Sequence, residues 1–262
     1  MSADLSIVVP CYNEAGNIPL IIAEFSKLLD ANPGLEVILV DNGSTDNSAE
    51  VFKQELPNCH PEERSDVRIS SRNLGDPDVL QAQDDSRMTV VRVEENQGYG
   101  HGILFGLEHA NGKVLAWTHA DMQTDPADVL TAYKQYQATN DEMCFVKGAR
   151  KERKLLEAFF SWGMQVLASI VLKTPLEEIN AQPKLFSRKF YDLYMKEGAP
   201  KDFSLDLYAL YHAYRNCKLI TIPVYFNKRI HGEAKGGGSW SGRIKLIQRT
   251  LAYIFELADS LA

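Results

Sequence analysis

The sequence predicts an α/β protein with a mainly parallel sheet that is covered by helices on both faces. Short apolar, β-branched runs recur at 5–10, 35–40, 88–93, 113–118 and 143–148. Helical patterns lie between them, at 15–30, 46–55, 98–110 and 126–139. Continuous apolar strands separated by helices are typical of a parallel sheet that is buried on both faces. Such sheets carry their binding sites at the carboxyl ends of the strands.

The chain has 262 residues, of which 45% are hydrophobic and 24% charged, enough for one domain with a full core. We expect this single domain to span 1–235 and to be followed by an amphipathic helical tail at 236–262. The segment 57–87 is polar, contains three prolines and has no periodicity. Because it is too long for an ordinary connection, it is predicted to be a surface insertion.

The composition excludes several classes of protein. A net charge of −7 argues against nucleic-acid binding, which requires a basic surface. The four cysteines are widely spaced and form no CxxC pair, so reduced thiols are favoured over disulfides or a zinc site. The start of the chain does not resemble a signal peptide, and no apolar run is long enough to span a membrane. We therefore expect a cytoplasmic protein, which could still lie on the inner face of the membrane.

Polar clusters follow the first two predicted strands. Residues 10–14 (PCYNE) follow the first strand, and residues 41–46 (DNGSTD) follow the second. Asp41 directly follows an apolar run, where its carboxylate can accept hydrogen bonds from the N–H groups of a nucleotide base. Glu14 can similarly hold ribose hydroxyls. For Ser44 to Asp46, capping of the next helix is an equally good interpretation.

A third cluster, NQGYGHG at 96–102, opens a predicted helix. Its glycines do not follow the first strand of a dinucleotide-binding unit, so they are weak evidence for such a site. Two interpretations stay open. The free N–H groups of the helix start can favour a nearby negative charge, or the glycines can serve a plain turn and close packing.

The fourth cluster is Asp121, Gln123 and Asp125, after the strand at 113–118. Mg²⁺ and similar ions prefer oxygen ligands and often use only one or two protein carboxylates, with substrate phosphates and water as the others. Asp121 alone can therefore hold an ion when a diphosphate is present. Asp125 precedes Pro126 and is interpreted as a helix N-cap. His119 can ligate Mn²⁺ through nitrogen or donate a hydrogen bond to phosphate.

These four clusters, in this order, resemble those of the family 2 glycosyltransferases of the GT-A fold. The segments are SIVVPCYNEAGNI, VILVDNGSTDNS, VEENQGYGHGILFGLEHANGKV and WTHADMQTDP, and they are most similar to dolichol-phosphate and polyprenyl-phosphate sugar transferases. The resemblance covers about 5–56 and 88–150, and extends more loosely to about 235. It implies a nucleotide pocket that is lined by Pro10, Tyr12, Glu14 and Asp41.

The resemblance also implies a Mg²⁺ or Mn²⁺ cofactor. The Asp-x-Asp motif of the family becomes His119-Ala120-Asp121, so only the second carboxylate is retained. Gln123 matches the glutamine that follows the motif in this branch. Asp121 is thus the expected metal ligand, and His119 is a further candidate.

In the second half, Arg150 ends the fifth strand, where the family has an arginine that approaches the donor phosphates. A cation there stabilises the charge of the leaving group; a solvated surface charge is the alternative. The helical stretch 153–179 has basic ends and a high apolar content, which fits either an interfacial helix or core and subunit packing. Residues 180–186 resemble the family segment that ends in a strand near the acceptor site.

Asp206 lies on an otherwise apolar and aromatic predicted helix. If the acceptor is a sugar hydroxyl, a carboxylate must take its proton, and Asp206 is the candidate base. A phosphate acceptor is already ionised near neutral pH, and Asp206 would then position the acceptor or the metal. A purely structural hydrogen bond is the other interpretation.

The glycine-rich loop at 224–240 carries Arg229, His231 and Lys235. It resembles the family loop that closes over the diphosphate and excludes water from the site. A surface loop with incidental charges is the alternative. The tail after this loop can pack on the domain, on a partner subunit or on a bilayer surface.

Together, these features predict a metal-assisted, inverting transfer of a sugar from a nucleotide-diphosphate donor to a polyprenyl-phosphate acceptor. Oligomeric state stays open. One alternative is a saccharide-extending transferase of cell-envelope polysaccharide synthesis, with Asp206 as base. A sugar nucleotidyltransferase is the second alternative. The sequence argues against it, because such an enzyme should carry a glycine- and arginine-containing loop after the first strand, where this chain has PCYNE. A non-catalytic nucleotide-sugar-binding homologue is the third alternative, because His119 replaces a carboxylate.

Overall fold

The computed structural model describes residues 3–56, 80–81, 87–151, 163, 165–227, 229 and 240–260. Within these residues the chain forms one eight-stranded sheet, with the order β3-β4-β2-β1-β5-β7-β6-β8. The strands are β1 Leu5–Cys11, β2 Leu35–Asn42, β3 Leu80–Gln81, β4 Met88–Val93, β5 Val114–Trp117, β6 Cys144–Lys151, β7 Lys184–Ser187 and β8 Lys218–Tyr225.

The helices cover both faces of this sheet, as predicted. They are α1 Ile18–Ala31, α2 Ser48–Glu55, α3 Tyr99–His109, α4 Asp128–Gln137, α5 at 165–171, α6 Arg188–Phe190, α7 Leu205–Asn216 and α8 Trp240–Ser260. A π-helical turn, Tyr191–Met195, continues α6. The strands and helices predicted for the first 150 residues are all present, and their ends differ from the prediction by three residues or fewer.

The sheet is mainly parallel, as predicted, with one internal exception. β1 pairs in parallel with β2 and β5, β2 with β4, and β6 with β8. β7 runs antiparallel between β5 and β6, and β3 runs antiparallel to β4. Because β7 starts beside the last residue of β5 and runs along the first half of β6, Lys184 pairs with both Trp117 and Lys147. The residues just before β7 therefore enter the edge of the sheet that carries the polar clusters.

Two apolar layers lie on opposite sides of the sheet, and a third cluster attaches the C-terminal helix. Ile254 and Leu257 of α8 are buried against α5 and α7. The helix predicted for the tail is therefore present and packs on the domain, while Phe255 on its other side is 52% exposed. No helix in the described parts of the chain is long and apolar enough to cross a membrane.

Several sequence predictions lie outside the described residues. They include most of the predicted insertion (57–79 and 82–86) and much of the stretch at 153–179 (153–162 and 164). His231 and Lys235 of the predicted loop also lie outside them.

Candidate active site

The loops that follow β1 and β2 are joined by Asn13. Its backbone has φ +53°, a left-handed conformation that asparagine tolerates better than most residues. Its side-chain oxygen accepts a hydrogen bond from the Thr45 N–H (2.7 Å), and its own N–H donates to Ser44 Oγ (3.0 Å). Ser44 and Thr45 therefore join the two loops. Asp46 joins them as well, by accepting from the Ala15 N–H (3.4 Å), and it also accepts from the Ser48 N–H (3.0 Å) at the start of α2. The capping interpretation fits Asp46 alone.

Asp41 is fully buried at the end of β2, and its two carboxylate oxygens have different partners. Its Oδ1 accepts from the Ser44 N–H (3.0 Å). Its Oδ2 lies 3.4 Å from Arg92 Nη1 as an ion pair, but receives no hydrogen bond from the described residues. Pro10 and Tyr12, both half-buried, lie at the end of the neighbouring β1. The four predicted pocket residues, Pro10, Tyr12, Glu14 and Asp41, thus lie at or just after the ends of β1 and β2, at one edge of the sheet.

Arg229 connects the end of β1 with the end of β5. Its Nη2 lies 3.0 Å from Glu14 Oε1 and 3.6 Å from Asp121 Oδ2. All three side chains are largely buried, with 17% of Arg229, 9% of Glu14 and 17% of Asp121 exposed. A cation and two carboxylates that are distant in sequence therefore meet at one point. In this arrangement Glu14 binds a guanidinium, where the sequence suggested ribose hydroxyls.

The loop after β5 has a fixed shape that presents Asp121. Asp121 Oδ1 accepts from the Gln123 N–H (3.1 Å), and Met122 between them has φ +55°. Gln123 in turn holds the segment before Arg229: its carbonyl accepts from the Asn227 N–H (2.8 Å), and its amide donates to the Asn227 carbonyl (3.3 Å). Gln123 therefore has structural partners on the same segment that brings Arg229 to the site.

Asp121 and His119 could hold a divalent ion only together with a substrate. Burial lowers the pKa of His119, although the nearby Asp121 raises it, and the neutral form that burial favours is the one that can act as a metal ligand. No three His, Cys, Asp or Glu side chains within the described ranges are grouped as a metal site. The residues therefore fit a Mg²⁺ or Mn²⁺ ion that takes its remaining ligands from water and a diphosphate.

The glycines at the start of α3 serve close packing. The His101 N–H donates to the Lys201 carbonyl (2.7 Å). A Cβ atom on Gly98 would lie 2.5 Å from that same oxygen, and one on Gly100 would lie 2.6 Å from the Pro200 carbonyl. The loop at 200–202 thus covers this helix start. Close packing therefore accounts for Gly98 and Gly100.

Asp206 lies in a buried polar network that the sequence analysis did not detect. It forms an ion pair with Lys184, which is fully buried, and accepts from the Gln182 amide (3.0 Å). The same amide nitrogen lies 3.2 Å from the Tyr99 hydroxyl. Burial and the Asp206 charge raise the pKa of Tyr99, whereas burial lowers the pKa of Lys184. Asp206 is therefore engaged by protein partners, as the structural interpretation predicted.

A signal for this network exists in the sequence. Gln182 and Lys184 are polar residues two positions apart at the entry to an apolar strand, although Gln182 lies before β7 and is joined to Pro183 by a cis peptide bond. Lys184 also lies 5.5 Å from the centre of the Trp117 ring, at the end of β5. Tyr99 in turn lies 6.1 Å, centre to centre, from His119. The network thus borders the predicted metal site.

Arg150, near the end of β6, forms an ion pair with the carboxylate of Glu178. Its Nε lies 2.8 Å from Glu178 Oε2, and only 16% of its side chain is exposed. The alternative of a solvated surface charge is therefore wrong. Lys147, on the same strand, is buried and donates to the Glu177 carbonyl, and burial lowers its pKa to about 8. Arg150 is close enough to His119 to influence its pKa, so it borders the site, whereas Lys147 is buried behind it.

A family model for glycosyl transferase family 2 matches residues 6–195. The chain belongs to this family. Two undecaprenyl-phosphate 4-deoxy-4-formamido-L-arabinose transferases are among its relatives. The one from Shewanella sediminis is 24% identical over 152 residues, which are 58% of this chain and 38% of the relative. The one from Pseudomonas fluorescens is 25% identical over 164 residues, which are 62% of this chain and 40% of the relative. The chain thus spans about two fifths of these relatives.

Solved structures confirm the expected GT-A fold for this family 2 member. A mannosyltransferase from Pyrobaculum calidifontis, in complex with GDP-mannose and Mn²⁺, superposes with a TM-score of 0.59 at 19% identity, over 97% of this chain and 70% of the other. A second structure is glucosyl-3-phosphoglycerate synthase from Mycobacterium tuberculosis, in complex with Mn²⁺, UDP-glucose and phosphoglyceric acid. It superposes with a TM-score of 0.66 at 15% identity, over 98% of this chain and 80% of the other. At these identities the similarity establishes the fold alone.

Within this family 2 site, Gly148 is required by the close approach of β6 to the residues before β7. A Cβ atom at Gly148 would lie far inside contact distance of the Gln182 carbonyl oxygen, a backbone atom that cannot rotate away. We expect Gly148→Ala to lower the free energy of unfolding by about 3 kcal/mol, as severe overpacking does.

Urea unfolding measures this change, and Gly163→Ala is the matched control. Apart from its chain neighbours and its own helix, no heavy atom of the described residues lies within 4 Å of a Cβ atom added at Gly163, which is helical and exposed. Alanine should therefore leave stability unchanged there, or raise it by about 0.5–1 kcal/mol. Equal stability of the two variants would show that the strands can separate at Gly148 without cost.

Proposed function

We propose that this protein transfers a sugar, with inversion, from a nucleotide-diphosphate donor to a polyprenyl-phosphate acceptor, with a divalent ion as cofactor. The observation that carries the proposal is the meeting of Glu14, Asp121 and Arg229 beside the buried Asp41, where β1, β2 and β5 end. In doubly wound sheets this edge is where ligands bind. The complexes of the structural neighbours with GDP-mannose, UDP-glucose and Mn²⁺ support the donor class and the ion.

In this proposal the donor base lies against Pro10 and Tyr12. Its N–H group donates to Asp41 Oδ2, the oxygen that receives no hydrogen bond from the described residues. Asp121, with His119 as a further candidate ligand and Gln123 supporting the loop, holds the ion. The ion would supply electrostatic stabilisation of the departing diphosphate. Arg150 and Arg229, with His231 and Lys235, add positive charge to the same leaving group. Direct displacement by the acceptor inverts the anomeric centre, so no covalent intermediate is required.

The contacts of Asp206 with Gln182 and Lys184 support a phosphate acceptor. A carboxylate that already accepts from Gln182 and pairs with a buried Lys184 is poorly placed to take a proton from a hydroxyl. A phosphate is ionised near neutral pH and needs no base. The two relatives are undecaprenyl-phosphate sugar transferases, which supports the same acceptor class. We further propose that the protein acts from the cytoplasmic side, in peripheral contact with the membrane that holds such a lipid.

A thermal-shift screen of UDP, GDP, CDP and ADP, with and without Mn²⁺, tests the proposed donor site. A ligand that binds only the folded state raises the melting temperature by mass action. We expect a shift that requires both a nucleoside diphosphate and the metal. Nucleotide release from the matching sugar donor, with a polyprenyl phosphate as acceptor, tests transfer. A donor that binds with metal, but is never turned over with any acceptor, would instead support the non-catalytic alternative.

The second candidate is a saccharide-extending transferase, because Asp206 borders the site and could serve as its base. The variant Asp206→Asn separates the two candidates. With a phosphate acceptor, we expect the rate per folded molecule to stay within about tenfold of wild type, because no proton has to be taken. With a hydroxyl acceptor, loss of a general base should lower the rate by about 10²–10⁴-fold. Initial rates, with donor affinity as the control, distinguish these outcomes.

A further inference from the structure

The carboxylate of Asp121, to which the divalent ion is assigned, already has a cationic partner, Arg229. Arg229 Nη2 lies 3.6 Å from Asp121 Oδ2 and 3.0 Å from Glu14 Oε1. The other oxygen of Glu14 accepts from the Asn17 amide (2.5 Å), so Glu14 is itself fixed. The guanidinium is therefore held between two largely buried carboxylates, one of which is the proposed metal ligand.

An ion that binds alone must compete with this guanidinium. A divalent ion on Asp121 would lie next to Arg229 in a largely buried site, where charge repulsion is poorly screened. Moving Arg229 away would leave Glu14 without a cationic partner that it now has. The remaining side chains do not offset this cost, because within the described ranges no third metal ligand joins Asp121 and His119.

A diphosphate supplies what the ion alone lacks, namely further ligands and a negative charge that offsets the repulsion between the ion and Arg229. Its oxygens can complete the ligand shell of the ion, and they are good partners for a guanidinium, which binds phosphate with two parallel hydrogen bonds. Arg229 can therefore turn from Asp121 to the phosphate as the ion takes its place. Ion and diphosphate should then each increase the affinity of the other, which is the signature of a coupling free energy.

We propose that Arg229 is the resident counter-ion of Asp121, which excludes a divalent ion from the site until a diphosphate arrives. The first half of this proposal, competition between Arg229 and the ion, rests on the charges in the structure and on the assignment of the ion to Asp121. The second half, release by a diphosphate, rests on the proposed function. The two halves can be measured separately.

Titration of Mn²⁺ without nucleotide, followed by the EPR signal of the free ion, tests the competition. We expect Arg229→Gln to bind Mn²⁺ about tenfold or more tightly than wild type, within the range of typical coupling effects. Arg249→Gln is the matched control, because it removes the same charge from an exposed ion pair with Asp202 (3.2 Å). It should bind Mn²⁺ as wild type does. Adding Asp121→Asn to Arg229→Gln should abolish the gain.

The same titration with UDP or GDP present tests the release. In wild type the nucleotide should tighten Mn²⁺ binding about tenfold or more, and in Arg229→Gln this enhancement should largely disappear. Unchanged Mn²⁺ affinity of Arg229→Gln without nucleotide would overturn the proposal, as would a gain that survives Asp121→Asn. If the gain appears but no nucleoside diphosphate affects the wild type, the competition stands and the proposed donor class is wrong.

Discussion

Replacing Asp121 with asparagine should lower metal-dependent sugar transfer by about 10³-fold or more. A bound ion that polarises a phosphoryl oxygen supplies several kcal/mol of transition-state stabilisation, and each 1.4 kcal/mol is about tenfold in rate. Asp121 is the metal ligand that the sequence predicts, and no cluster of three potential ligands exists in the described residues. Asparagine keeps the size of the side chain and an oxygen for the Gln123 N–H.

Asp125→Asn is the control for this prediction. Asp125 lies on the same loop and carries the same charge, but its exposed carboxylate accepts from the Ala127 N–H just before α4. It should therefore keep transfer close to the wild-type rate. Initial rates at saturating Mn²⁺ and donor, with melting temperatures to verify folding, give the comparison. If Asp121→Asn retains a tenth of the activity, another group holds the ion.

The strand ends were predictable from sequence because apolar runs end in polar clusters at fixed points. Asp41 and Asp121 each follow a run that the parallel sheet buries on both faces, so their position at one edge follows from topology alone. The glycines of α3 were ambiguous for a physical reason. The same residues suit an anion at a helix start or a close backbone, and only the fold shows that residues 200–202 fill the space.

Contacts between distant segments could not be derived in this way. Nothing local indicates that β7 enters the sheet antiparallel between β5 and β6, and this is what brings Lys184 to Asp206, 22 residues later in the chain. Arg229 was predicted to face a diphosphate, yet its carboxylate partners follow two other strands. Long-range ion pairs depend on loop paths, which hydrophobic periodicity does not encode.

The largest expected loss of stability is at Lys184. Lys184→Met would leave Asp206 buried, at 3% exposure, with hydrogen bonds but without its cationic partner. Breaking a buried ion pair from one side costs about 3–5 kcal/mol, because the remaining charge is not compensated. Methionine fills similar space, and its sulfur can contact the nearby Trp117 ring favourably, so packing should contribute little to the loss.

The double variant Lys184→Met/Asp206→Asn tests that explanation by urea unfolding. Because asparagine carries no charge and can still accept from the Gln182 amide, the double variant should be more stable than Lys184→Met alone. Lys113→Met is the control for loss of a lysine. Its pair with Asp4 (3.3 Å) is more than half exposed on both sides, so it should cost at most about 1 kcal/mol. If the double variant is as unstable as Lys184→Met, the loss arises from packing, and Asp206 does not depend on Lys184 for its charge.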